Sequence, residues 1–116
     1  MKDIEIKLDD IEIHPKEIIK GSVTVNYSGR YDGIVINAQI LDSNELIIYR
    51  SYNGKEISKN VSRLFVNKDM MPENKVVFTA SIDFEPNQEH EVKFRVSIIE
   101  QHKEIESDIL FAKFSA

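Results

Sequence analysis

Chemistry in this chain would have to rest on three histidines, a few acidic pairs and isolated serines, because it contains no cysteine. His14, His90 and His102 stand alone, in segments that read as loops or strand ends, and none has the spacing of a zinc-binding helix. His90, between Glu89 and Glu91, would recruit a metal only if folding brought His14 or His102 alongside; otherwise it reads as part of a solvated turn. Asp9-Asp10 and Asp42 could meet at one end of a folded domain and offer hard oxygens to calcium, but no Asp-rich loop of suitable spacing is present, so they also read as charged strand breaks. A serine nucleophile needs a base within reach and a strained turn to present it. No G-x-S-x-G occurs, and Gly21-Ser22 falls inside an expected strand. Gly21, Gly29, Gly33 and Gly54 form no glycine-rich loop ahead of a helix, which removes a phosphate cradle. The residues therefore imply no catalytic group, no cofactor and no metal site, and the expectation is a protein that is not an enzyme.

Bulk properties narrow the classes further. A chain of 116 residues suits one domain spanning 1–116, large enough to bury a core without staples. Fifteen Lys and Arg against twenty Asp and Glu leave a net charge of -5, and no basic cluster offers phosphates a footprint, so no nucleic-acid partner is expected. The opening MKDIEIKLDD alternates charges with isoleucines. It holds neither an apolar leader core nor a membrane span, so a cytoplasmic setting is expected. The 41% hydrophobic content, dominated by Ile and Val, favours strands over helices.

Period-two alternation then places the elements. Ile4, Ile6 and Leu8 share a phase that Asp9-Asp10 interrupts and that resumes one step out at Ile11 and Ile13, which predicts a bulge or a corner where the strand changes sheets. Ile19, Val23, Val25 and Tyr27 share a parity with Gly21 between them. A glycine inside a strand asks for a bulge, a bend, or the close approach of a neighbouring backbone or ring. Ile34 to Ile40 and Leu46 to Tyr52 follow as strands, the latter closed by Asn53-Gly54, a dipeptide suited to a hairpin turn with positive φ. Residues 57–75 read either as a short helix through Ile57, Val61, Leu64 and Phe65 or as a strand over Arg63 to Val66; the strand is preferred. Val76 to Phe84, Val92 to Ile98 and about Ile105 to Phe114 complete seven or eight strands. The fold class is therefore all-β, an antiparallel β-sandwich of seven or eight strands.

Exposed apolar residues supply the lead on binding. Met70-Met71-Pro72 interrupts the polar stretch VNKDMMPENK, and methionines suit adaptable contact surfaces, although one of them could instead plug the end of the sandwich. Tyr27, Tyr31, Tyr49 and Tyr52 could form an outward aromatic patch or pack along the rim with their hydroxyls in water. Met70, Met71, Tyr49 and Tyr52 are the candidate partner-binding residues.

The order of several motifs resembles arrestin-like domains. Pro15, Glu17, Ile19, Gly21, Val23 and Val25 stand where that family carries Pro-Gly-Glu, an aliphatic, a glycine and further alternating aliphatics, with Lys16 in place of the motif's glycine. Asp32-Gly33-Ile34-Val35-Ile36 is similar to the opening of the next strand. FTASIDFEP resembles the aromatic strand ending in proline, and HEVKFRVSIIE the strand after it. Arrestins and bacterial sporulation-control relatives pair two such sandwiches, whereas this chain has room for one. The resemblance implies an adaptor or scaffold that binds a partner protein, with the bend between sheets at Gly21 and a homodimer replacing the missing half. The first strand, the last strand and the 67–75 loop are the expected contact segments. The rival expectation is a calcium- or carbohydrate-binding sandwich module, and a small hydrolase is a third.

Overall fold

The computed structural model describes residues 2–59, 61 and 63–116. Ten strands form two five-stranded sheets packed face to face. In chain order they are β1 (Ile4–Leu8), β2 (Glu12–Ile13), β3 (Ile19–Val25), β4 (Gly33–Ile40), β5 (Ile48–Tyr52), β6 (Lys55–Glu56), β7 (Arg63–Asn67), β8 (Lys75–Ser81), β9 (His90–Glu100) and β10 (Lys103–Phe114). The first sheet runs β1-β3-β8-β5-β6 and the second β2-β10-β9-β4-β7. Two or three more strands form than the alternation predicts, β2 and β6 among them as two-residue pairings. Tertiary neighbours fix strands of that length, not any repeat within them.

The inner faces follow the period-two reading. Val23 and Val25 of β3, Val76, Phe78 and Ala80 of β8, and Val92, Phe94, Val96 and Ile98 of β9 are all buried. Each such aliphatic or aromatic side chain contributes about 1.5 to 3 kcal/mol through burial. The Asp9-Asp10 corner is confirmed: β1 lies in the first sheet, β2 in the second, and the chain crosses between them at these aspartates. Once across, β2 pairs with β10 in parallel, the exception in an otherwise antiparallel ladder. Residues 63–67 take the strand alternative, with Leu64 and Val66 turned inward.

Gly21 does not mark a bend between sheets. β3 stays in one sheet, with unbroken register to β1 on one side and β8 on the other. A Cβ at Gly21 would lie 2.5 Å from Cζ of Phe78 and 2.8 Å from Cδ2 of Leu8, so the glycine makes room for a buried ring. Of the three reasons for a glycine in a strand, the close aromatic approach is the one that operates.

Candidate functional site

The 12-residue β10 is the longest of the described strands, and most of its residues are exposed. Its inner edge pairs with β9 from Lys103 to Phe114, with an extra residue at Ile105 between the pairs Glu104↔Ile99 and Glu106↔Ile98. On the outer edge, β2 pairs only with Lys113 and Phe114. The direction of the free groups follows from the ladder. The amides of Lys113 and Ser115 donate to the carbonyls of Ile11 and Ile13, at 2.8 and 3.1 Å, so odd-numbered residues of β10 turn their backbone away from β9. By the alternation of an antiparallel ladder, Phe111, Ile109 and Ser107 turn theirs outward too. Among the described residues no strand receives them.

The side chains beside this open edge are apolar. Ile109 is 43% exposed and Phe111 51%, both on the outer face of the second sheet, opposite Arg95 and Lys93 of β9. Further along, Glu104 is tied to β9, accepting from the Arg95 guanidinium and, at 3.0 Å, from the Ser97 hydroxyl. On the inner side Asp108 closes the seam to β1. It accepts from Lys2 Nζ at 2.9 Å and from the Ile6 amide at 3.1 Å. Burial pushes the Asp108 carboxyl up, but the hydrogen bonds from Lys2 and Ile6, the Lys2 charge and the Ile109 amide outweigh it and hold the group below its ordinary value. The Lys2 ammonium is raised in turn, chiefly by its hydrogen bond to Asp108. Asp108 thus occupies the outward amide of Ile6 on β1 and also engages the Ile109 amide of β10, while among the described residues no strand pairs with the outward groups of Ser107 and Phe111 on either side of it.

The structure separates the residues singled out in the sequence. Met70 is 40% exposed, but Met71 is buried at 4% and plugs the core, as the alternative reading of that pair has it. Their loop is closed on itself. Asn53 Nδ2 donates to the carbonyls of Met70 and Lys75, at 2.8 and 3.2 Å, and Asn53 Oδ1 accepts from the Val77 amide at 2.8 Å. The Tyr31 hydroxyl reaches Asn74 Oδ1 at 2.5 Å, with Lys68 Nζ over the ring at 4.5 Å from its centroid.

The outward tyrosine patch does not form. Tyr49 has no exposed surface and packs edge-on against Phe78, and Tyr31 is buried at 4%. A register shift between Tyr49 and Ser51 sets Tyr49 opposite Ala80 and Tyr52 opposite Phe78, so both point to the core despite their odd separation. The Tyr49 hydroxyl has no hydrogen-bond partner among the described residues, and burial pushes its pKa far up.

His90 is likewise not in a solvated turn. It is 6% exposed, its Nδ1 lies 2.8 Å from the Leu41 carbonyl, and its ring stacks edge-on against Phe84. His14 sits 3.1 Å from the Ser115 carbonyl, and His102 occupies the β9–β10 turn. Among the described residues no three His, Asp or Glu side chains are placed to share a metal ion. Ile109, Phe111 and Asp108 escape a residue-by-residue search. The signal that marks Ile109 and Phe111 is the unbroken run Ile109-Leu110-Phe111-Ala112, apolar on both faces of a strand that has one face to bury; no such signal marks Asp108.

No protein-family model matches this chain, and no match was found among characterised protein sequences. Solved structures do resemble it. A conjugative transposon lipoprotein from Bacteroides eggerthii aligns over all of both chains at 7% identity with a TM-score of 0.57. A lipoprotein from Bacteroides thetaiotaomicron aligns over all of this chain and 82% of its own, at 8% identity and a TM-score of 0.58. A variant of the CFA/I adhesin CfaE from enterotoxigenic E. coli aligns over 98% of this chain and 49% of its own, at 12% identity and a TM-score of 0.57. At these identities the likeness is one of β-sandwich fold, which the two packed sheets share.

Proposed function

We propose that this protein is a non-enzymatic interaction module, an adaptor or scaffold of the arrestin-like type, which captures an extended segment of a partner protein along the outer edge of β10. One observation carries the reading: among the described residues no strand pairs with the outer edge from Ser107 to Phe111, yet it displays two large apolar side chains, Ile109 and Phe111. A guest strand would gain main-chain hydrogen bonds from the outward amides and carbonyls, and its alternate side chains would meet Ile109 and Phe111. Soluble β-proteins usually blunt such an edge with charge, proline or a cover. Here the bulge at Ile105 and β2 at Lys113 limit the opening without filling it.

Among the described residues the two buried serines, Ser81 and Ser97, are held in side-chain ties. Ser81 is 2% exposed, donates to Asp83 at 2.9 Å and accepts from Arg50 at 3.0 Å, so it is a buried tie without a histidine base. The structural neighbour named as an adhesin supports a binding role for such a sandwich. The motif order resembling arrestin-like domains supports the adaptor or scaffold assignment.

Selection from displayed random peptides tests the proposal. Retained peptides are expected to alternate apolar and polar positions and to lose binding to Ser107→Pro. That proline removes an outward amide while leaving the β9 ladder intact, which circular dichroism and melting would verify. Peptides that bind the proline variant equally well, or turnover of a substrate by the purified protein, would overturn the reading.

A further inference from the structure

The open stretch of β10 lies between an acidic residue, Glu104, and a basic one, Lys113, an order that complements a second copy of itself laid antiparallel. It is bounded at one end by the bulge at Ile105 and at the other by β2 at Lys113, which leaves the window 107–111 centred on Ile109. Resting on the strand-addition reading, we infer that a second copy of this chain pairs antiparallel along that window, about a two-fold axis at Ile109. This joins the two second sheets edge to edge.

The register is selected by the side chains. With Ile109 opposite its own symmetry mate, Ser107 faces Phe111 of the other copy, so a small residue lies beside each large one. Asp108 then faces Leu110. Centring the axis one residue earlier would set Asp108 against Asp108, and like charges directly opposite destabilise a pair. Centring it one residue later would bring Ser107 against Lys113, whose outward groups β2 already holds.

The outer face of the strand also reads Glu104, Ser107, Ile109, Phe111, Lys113. Antiparallel order therefore lays the acidic end of one copy toward the basic end of the other. Both copies then present Ile109 and Phe111 on the same face, making one apolar strip from two. A window this short buries less than a standard interface of about 1,600 Å², so the dimer is expected to be weak and to compete with a peptide for the same edge.

Because the chain lacks cysteine, single substitutions report the register without background. Ile109→Cys places the two sulfurs opposite each other across the axis, at a separation a disulfide can bridge. Ser107→Cys places them about 14 Å apart along the strand, too far to bridge. Under mild oxidation Ile109→Cys is expected to form covalent dimer, Ser107→Cys alone is not, and a mixture of Ser107→Cys with Phe111→Cys is. Val77→Cys, exposed on the other sheet, measures random collision. The proposal is overturned if Ile109→Cys stays monomeric as the protein is concentrated, or if it cross-links no faster than Ser107→Cys and Val77→Cys. If cross-linking fails while β10 still retains selected peptides, only the second copy is removed as occupant. Loss of both removes strand addition as well.

Discussion

The 67–75 loop and β10 both expose apolar side chains, Met70 on one and Ile109 and Phe111 on the other, yet they differ in what their backbones still need. Asn53 satisfies the loop from beneath, through the Met70 and Lys75 carbonyls, and Met71 is sunk into the core below it. β10 keeps outward amides and carbonyls at Ser107 and Phe111 with no strand paired to them among the described residues. An exposed side chain alone is ordinary on a protein surface. An exposed side chain beside unpaired backbone can template another strand.

Substitutions can break this contrast from either side. The largest effect is expected at Met71→Ala, which opens a cavity and should cost about 2 to 3 kcal/mol in chemical denaturation while leaving peptide capture by β10 unchanged in the folded fraction. Asn53→Ala removes the three side-chain hydrogen bonds that hold the loop and should cost about 1 to 2 kcal/mol, again without touching capture. Loss of capture in either variant would show that the loop, not the strand edge, is the contact surface.

Asp108→Asn should have a smaller effect that depends on pH. The folded carboxyl titrates below its unfolded value of about 4, so its contribution is fully present above that value and is lost as pH falls through the lower folded value. Melting curves of the wild type should therefore approach those of Asp108→Asn only in that acid range. Ile109→Lys should change stability least, by about 0.5 kcal/mol or less, because the residue is exposed. It should nonetheless abolish both capture and self-association, read by light scattering.

Much of the fold was legible because its inner strands obey a single period. β3, β8 and β9 bury alternate residues as the alternation predicts, and Asn53-Gly54 makes its turn with φ of 46° and 80°. The Asp9-Asp10 phase slip located the crossing between sheets for the same reason. Legibility failed where a local irregularity reset the period. The register shift after Tyr49 returned Tyr52 to the core, which no count along the sequence could show. It failed again at β2, whose parallel pairing depends on where a distant strand ends. The candidate site was half legible: the last strand could be named as a contact segment, but its open edge belongs to the arrangement of the sheets. Gly21 teaches the same lesson, since its neighbour Phe78 is remote in sequence and its role is visible only in the folded core.

Amide hydrogen exchange along β10, followed by NMR, tests the central claim most directly. In dilute protein the account predicts rapid exchange at Ser107 and Phe111, slow exchange at Leu110 and Ala112, and slowing of the rapid pair when a selected peptide is added or the protein is concentrated. Uniform protection of all four in dilute protein, or rapid exchange at Ser107 and Phe111 that no peptide or concentration slows, would contradict it.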